Sequence, residues 1–265
     1  MSACDQRLDY DRIADRYDAE RYRSREVDAD LLTFLHQRPD RRADTIAVLD
    51  IACGTGNQLA ANRSVLPSTQ VVGLDLFWRM LQQARHKAAD IAWVQGDGAR
   101  LPFADQTFDY ATHQFAFHHV RDKPSMIGEV ARVLRPGGRF VLTNIDPRQM
   151  AEWAMYRYFP AARDRDLQDF PLPQETVGWL TAAGLAPVDV DTHRIESVED
   201  LRALLRAVRQ RISSQLLVIS DRDYRAGLYR IEAELRGARG RPVFVPTALC
   251  LLQFVADKPD RGRAA

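Results

Sequence analysis

The sequence predicts an α/β fold, doubly wound around a mostly parallel, seven-stranded sheet. Three observations carry that expectation. From residue 46 to residue 145, short apolar runs alternate with amphipathic stretches long enough for crossover helices, which is the pattern of βαβ units. The first apolar run ends in Gly54-Thr55-Gly56, a turn that opens the next helix. No repeat or low-complexity tract interrupts the alternation.

The opening segment to about Gln37 reads as helical, with Tyr10, Ile13, Ala14 and Tyr17, then Leu31, Leu32, Phe34 and Leu35, at helical spacing. After a charged break at Arg38-Pro39-Asp40, strands are expected at 46–51, 70–75, 91–95, 108–113 and 139–145. Helices are expected between them at 58–66 and 78–89, and through Met126, Val130 and Leu134. Beyond Asp146 the rhythm changes to an aromatic-rich 150–159, a helix at 175–183, a sixth strand at 187–195 and a last one within 242–255. The stretch 198–237 reads as two helices parted near Ser220-Asp221. The expected organisation is one domain: an N-terminal helical lid (1–42), a ligand-binding core (43–146), and an acceptor-side half (147–257). That half carries cap insertions at about 147–173 and 197–240, and a flexible tail follows at 258–265.

Composition removes several function classes. With 265 residues and a 46% hydrophobic fraction, the chain can bury a real core. Lys+Arg 37 against Asp+Glu 36 leaves a net charge of +1, so no global field draws in nucleic acid or an anionic membrane. Cys4, Cys53 and Cys250 are far apart and odd in number, which fits neither a disulfide framework nor a thiolate zinc site, and no metal is expected. No run approaches the ~18 apolar residues of a spanning helix, and the charged N-terminus lacks a signal-peptide core. A cytoplasmic protein is expected. A homodimer remains open, since the stretch between the last two strands could serve dimerisation as well as capping.

The chemistry is carried by Asp50-Ile51-Ala52-Cys53-Gly54-Thr55-Gly56-Asn57. A strand runs into a glycine turn, so backbone can approach a ligand without an intervening Cβ. A nicotinamide fingerprint wants a third glycine where Leu59 stands. Asp50, inside the first strand, would serve a pyrophosphate poorly, so the ligand reads as cationic and amino-acid-like. Asp75 ends the second strand, where a carboxylate accepts both hydroxyls of a ribose, and Asp97 follows the third, in reach of an adenine amino group.

These residues resemble the class I S-adenosylmethionine-dependent methyltransferases, in particular the small-molecule group with the ubiquinone and menaquinone C-methyltransferases. The resemblance runs through Tyr10-Asp11-Arg12-Ile13-Ala14-Asp15-Arg16-Tyr17-Asp18, the turn 50–56, Gly73-Leu74-Asp75, Gly96-Asp97-Gly98-Ala99-Arg100-Leu101-Pro102-Phe103, Phe115-Ala116-Phe117-His118-His119-Val120 and Val130-Ala131-Arg132-Val133-Leu134-Arg135-Pro136-Gly137-Gly138. It covers residues 10–145 closely and the remainder loosely. It implies a Rossmann-like methyltransferase fold that binds S-adenosyl-L-methionine and releases S-adenosyl-L-homocysteine. Under it, Ala52, Cys53, Gly54, Gly56 and Asn57 would hold the methionine portion, with Asp50 near the ammonium. Asp75 would bind ribose, Leu76 and Met80 would flank adenine, and Asp97 with Gly98 would read the adenine edge. His113 and Gln114 would approach the sulfonium, and Tyr17 and Arg21 would close over the carboxylate.

His118 and His119 are candidate general bases, although adjacent histidines suit a wall of the site equally well and place no metal. Trp153, Tyr156 and Phe159 could line an acceptor pocket or form core under a cap. The arginines Arg202, Arg206, Arg209 and Arg211 read better as a solvated helix face than as a nucleic-acid stripe. The leading function is methyl transfer to oxygen, nitrogen or carbon of a small-molecule acceptor. A nucleic-acid methyltransferase would want an Asn/Asp-Pro-Pro-aromatic motif where His113-Gln114-Phe115-Ala116 stands. A non-catalytic cofactor-binding regulator on the same fold is the other alternative.

Overall fold

The computed structural model describes residues 8–19, 25–38, 46–66 and 70–260. They sort into two compact units, one built from 9–144, 172–191 and the chain from 253 onward, the other chiefly from 145–171 and 192–252. The expected boundary after Asp146 thus falls two residues earlier, and 172–191 returns to the first unit.

The sheet has seven strands in the order β3-β2-β1-β4-β5-β7-β6. In chain order they are β1 Val48–Ile51, β2 Val71–Asp75, β3 Ala92–Gln95, β4 Phe108–Gln114, β5 Leu134–Ile145, β6 Val188–Asp200 and β7 Phe244–Asp257. Pairing is parallel through β3, β2, β1, β4 and β5, with Ile51 level with Leu74 on one side and His113 on the other. β1 is buried at every position because strands flank it on both sides, hence its unbroken apolar reading apart from Asp50. β5 and β6 are longer than expected, starting at Leu134 and running on to Asp200 respectively.

The sheet unit opens with a 3-10 helix, Tyr10–Ala19, where the sequence suggested an ordinary helix. Ten residues is long for that conformation. Asp28 then caps α1, Ala29–His36, by accepting from Asp30 and Leu31 amides, and also takes the Tyr110 hydroxyl at 3.0 Å. Helices α2 (Asn57–Asn62), α3 (Trp78–Lys87) and α4 (Lys123–Val133) follow β1, β2 and β4. One core joins Leu31, Phe34, Val48, Leu59, Leu81, Trp93 and Tyr110. Leu59, at the position a dinucleotide fold reserves for glycine, is fully buried there. Trp93 fills the space beneath the glycine turn: a Cβ added at Gly56 or Gly73 would lie 2.5 or 2.4 Å from its ring. Helix α7, Pro173–Ala182, completes this unit by setting Trp179 edge-on to Phe117.

The second unit is mainly helical: α5 Ala154–Tyr158, α6 Pro160–Asp169, α8 Leu201–Gln210, α9 Ser214–Leu217 and α10 Asp221–Gly237. Its core gathers Met150, Tyr156, Tyr158, Phe159, Leu204, Val208 and Ile231. The arginines of 202–211 lie on the solvated side as expected, with Arg209 paired to Glu232 and Arg211 to Asp221.

Candidate active site

Within the sheet unit, the carboxyl ends of β1 and β4 border an open cleft of about 450 Å³. Tyr17, Arg25, Asp50, Ala52, Gly54, Asn57, Gln114 and Phe115 are among its lining residues. The β1 turn is held from below: the Cys53 amide donates to the Leu74 carbonyl, and the Gly54 amide donates to Asp75 Oδ2 at 2.7 Å. Asp75 Oδ1 accepts from Phe77. A Cβ at Gly54 (φ +55°) would find no protein atom nearer than Tyr17 Cε1 at 3.9 Å, so the space before this backbone belongs to the cleft. Ala52 and Phe115 also take positive φ, 56° and 57°, unusual for residues with a side chain. Both line the cleft, where such backbone strain concentrates.

The electrostatics are set by two buried carboxylates. Burial raises Asp50 well above the ordinary carboxylate range, Asp28 and Asp75 push it further, and Arg25 opposes them. Burial also raises Asp75, to about 6, against the two amide hydrogen bonds that favour its ionised form. Each Asp75 oxygen has a second acceptor direction left for a ligand hydroxyl. Arg25 lies 5.1 Å over the Phe115 ring and faces the same cleft. Cys53 is half-buried at the cleft, and desolvation with Asp75 and Asp50 nearby holds its thiol well above the ordinary range, which keeps it un-ionised.

The N-terminal 3-10 helix is clamped to this cleft. Asp18 accepts from Thr55 Oγ1 at 2.7 Å and Asn57 Nδ2 at 2.8 Å, and pairs with Lys87 at 2.6 Å. Asp15 pairs with Arg79, and Asp11 accepts the Arg79 amide. In the 3-10 helix Asp15 and Asp18, three residues apart, share one face and Asp11 reaches α3 from the turn before, while Arg79, Gln83 and Lys87 share a face of α3.

The structure brings together Tyr17, Asp50, Ala52, Cys53, Gly54, Asn57 and Gln114 in the cleft. Arg21 lies outside the described residues, and Arg25 lines the cleft. Gly56 is turned to Trp93 and packs rather than lines. His113 is turned into the core, fully buried, with Nδ1 at 2.7 Å from the Ile51 carbonyl and its basicity lowered by burial to about 4. Met80 is buried in the core, whereas Leu76 keeps some exposure. Asp97 is exposed beyond β3, closing a turn onto the Ala99 amide.

The expected acceptor aromatics lie in the helical unit. Phe159 is core, 1% exposed, stacked on Tyr224 and pressed against Gly227, where an added Cβ would stand 2.1 Å from the ring. Tyr156 is buried too and donates to Asp166 at 2.6 Å, so Trp153, edge-on to Tyr156, is the member with surface to offer. Arg25 and Gln58 are cleft residues the sequence reading missed, neither of them in a motif; Thr55 stood within the glycine turn, and Phe115 stood in the motif after β4 without a role given to it.

A family model described as a methyltransferase domain matches residues 49–142. The chain is similar to a demethylmenaquinone methyltransferase of Thermus thermophilus, 30% identical over 193 residues, which is 63% of this chain and 81% of that protein. It is 41% identical over 102 residues to the ubiquinone/menaquinone biosynthesis C-methyltransferase UbiE of Desulfotalea psychrophila, covering 38% of this chain and 42% of that one. Among solved structures, an Anabaena variabilis protein described as a methyltransferase from an antibiotic biosynthesis pathway has the same fold. Its TM-score is 0.63 at 18% identity, over 85% of this chain and 96% of that one.

Proposed function

This chain belongs to the class I S-adenosylmethionine-dependent methyltransferases, and from that membership we propose that its acceptor is a small aromatic hydroxyl compound of the hydroquinone type. The enzyme transfers a methyl group from S-adenosylmethionine to a small molecule. Support for the acceptor class comes from the demethylmenaquinone methyltransferase that aligns over most of its length.

The observation that carries the cofactor reading is the placing of the Asp50 carboxyl and the Arg25 guanidinium in one cleft. A buried carboxylate and a guanidinium suit the ammonium and carboxylate of an amino acid. Asp50 takes the ammonium, Arg25 the carboxylate, and Asp75 the ribose hydroxyls, while Tyr17 covers the Gly54 backbone. Leu76 borders the adenine, with Asp97 and Gly98 at its edge. Gln114 and Phe115 bound the β4 side, where the reacting methyl is presented. The donor supplies an already activated sulfonium carbon, so these residues align the nucleophile and exclude water. His118 or His119 receives the acceptor's proton.

Calorimetry tests the charge pair. Arg25→Gln should weaken S-adenosylhomocysteine binding about 10- to 100-fold, as loss of a charged hydrogen-bond partner does. It should leave methylthioadenosine, which lacks the amino-acid portion, unaffected. Equal losses for both ligands would refute the assignment. Incubation with methyl-labelled S-adenosylmethionine and a short-chain demethylmenaquinol tests the acceptor, and absence of a labelled product by mass spectrometry would refute that class.

A further inference from the structure

Tyr10 opens the N-terminal 3-10 helix and, of the groups assigned to the cofactor, meets the Tyr17 ring. Its hydroxyl lies 2.9 Å from His119 Nε2. Its ring meets His119 edge-on at 5.6 Å, Tyr17 edge-on at 6.1 Å and Phe77 at 5.4 Å. Tyr17 lines the cleft and Phe77 follows Asp75, so Tyr10 stands where the N-terminal helix, the chain after β2 and the chain after β4 meet. The helix cannot easily slide, because Asp11, Asp15 and Asp18 tie it to Arg79, Gln83 and Lys87. A phenol and an imidazole are thus held in hydrogen-bond register by elements far apart in sequence.

The two adjacent histidines are not equivalent. His118 lies against His119 with 3.8 Å between centroids and the ring planes tilted by 44°, and both of its ring nitrogens are buried. Burial, with His119, Lys123 and His113 nearby, holds His118 well below the ordinary imidazole range. A ring so placed stays neutral and serves as wall. His119 is the one that meets a hydroxyl.

We infer that Tyr10 and His119 form a proton relay that ionises the acceptor's hydroxyl. The inference rests on the hydroquinone reading above. The acceptor O–H gives its proton to Tyr10 Oη as Tyr10 passes its own proton to His119 Nε2, leaving His119 as imidazolium. The electron pair released on the acceptor, at oxygen or at the ring carbon it activates, forms the new bond to the methyl carbon; where carbon is methylated, that carbon then loses its proton to water and the ring regains its aromaticity. The S–CH₃ pair returns to sulfur, which leaves as the neutral thioether. A hydroxyl that donates to imidazole is a better proton acceptor at its own oxygen, which is the logic of an activated hydroxyl–histidine pair.

Two readouts on the full-length enzyme decide the matter. Ring-nitrogen NMR of labelled histidine, assigned with His119→Gln, should show His119 protonated at Nδ1 and accepting at Nε2, with that signal displaced in Tyr10→Phe. An Nε2-protonated His119, or a signal indifferent to Tyr10→Phe, overturns the relay. In kinetics against a series of phenols of falling pKa, Tyr10→Phe and His119→Gln should lose about 10²–10⁴ in kcat/KM with weakly acidic phenols. They should approach wild type with phenols already ionised in solution. A uniform loss across the series would mean a structural clasp and overturn the proposal. If the wild type methylates no phenol, the hydroquinone reading falls, and the relay as stated here falls with it. Methylation by the wild type with no loss in either variant leaves that reading standing and removes the relay alone.

Discussion

Replacing Asp75 by asparagine should make the ligand-free protein more stable at neutral pH while removing its affinity for S-adenosylmethionine. Burial raises the Asp75 carboxyl to about 6 from an ordinary 3.8. A folded-state pKa above the unfolded value means that the native state binds the proton more tightly. Stability is therefore lost as pH rises from about 4 to about 6, and stays lost above. The difference corresponds to about 3 kcal/mol of strain in the ionised form at neutral pH. Asparagine carries no charge to desolvate. Its single carbonyl can accept from only one of the Gly54 and Phe77 amides, which costs about 1 kcal/mol. The net expectation is a gain of about 1–2 kcal/mol for Asp75→Asn near neutrality, shrinking to a small loss at acid pH. Relief of Asp50, which the Asp75 charge pushes up, adds in the same direction. Urea unfolding across this pH range measures the effect, and calorimetry measures the affinity. A variant less stable than wild type at neutral pH, with an unchanged pH slope, would refute the reasoning. Because ribose hydroxyls donate to the ionised form, cofactor affinity of the wild type should also decline as pH falls through about 6.

Three further outcomes follow from the packing of the cleft. Gly73→Ala places a methyl 2.4 Å from the Trp93 ring and should cost about 1–3 kcal/mol in denaturant unfolding, partly recovered by adding Trp93→Leu. Lys87→Met should loosen the Tyr10–Ala19 helix, visible as faster amide exchange there; the pair is partly exposed, so the effect should stay within about 1 kcal/mol. Ala52→Gly, at φ 56°, should be neutral or up to about 1 kcal/mol stabilising in thermal unfolding, the reverse of the usual penalty for that change.

The alternation of apolar runs and helices made the parallel half of the sheet legible, because a strand flanked on both sides is apolar throughout and only Asp50 stands out in β1. The same pattern singled out Asp50, Gly54 and Asp75 as candidates, since a carboxylate in or at the end of such a strand needs a reason. Trp93 was read as an ordinary strand residue; its role under Gly56 and Gly73 depends on a cross-strand contact that periodicity does not encode. Arg25 stayed hidden because it precedes α1 without a motif. His113 looked like a cleft residue from its position at the end of β4, yet its ring turns to the Ile51 carbonyl. Phe159 could be read from composition as pocket wall or as core, and the absent side chain of Gly227, which opens a core niche for it, decides for core. The matching acidic and basic spacings of Asp11, Asp15 and Asp18 with Arg79, Gln83 and Lys87 were legible in principle, since each set repeats at helical intervals.

The most direct measurement is a crystal structure of the protein grown with S-adenosylhomocysteine. The ligand should lie over the Gly54 backbone, its ribose hydroxyls on Asp75, its carboxylate on Arg25 and its amino group beside Asp50. A ligand seated elsewhere, or one in this cleft with its amino-acid portion away from Asp50 and Arg25, would contradict the account.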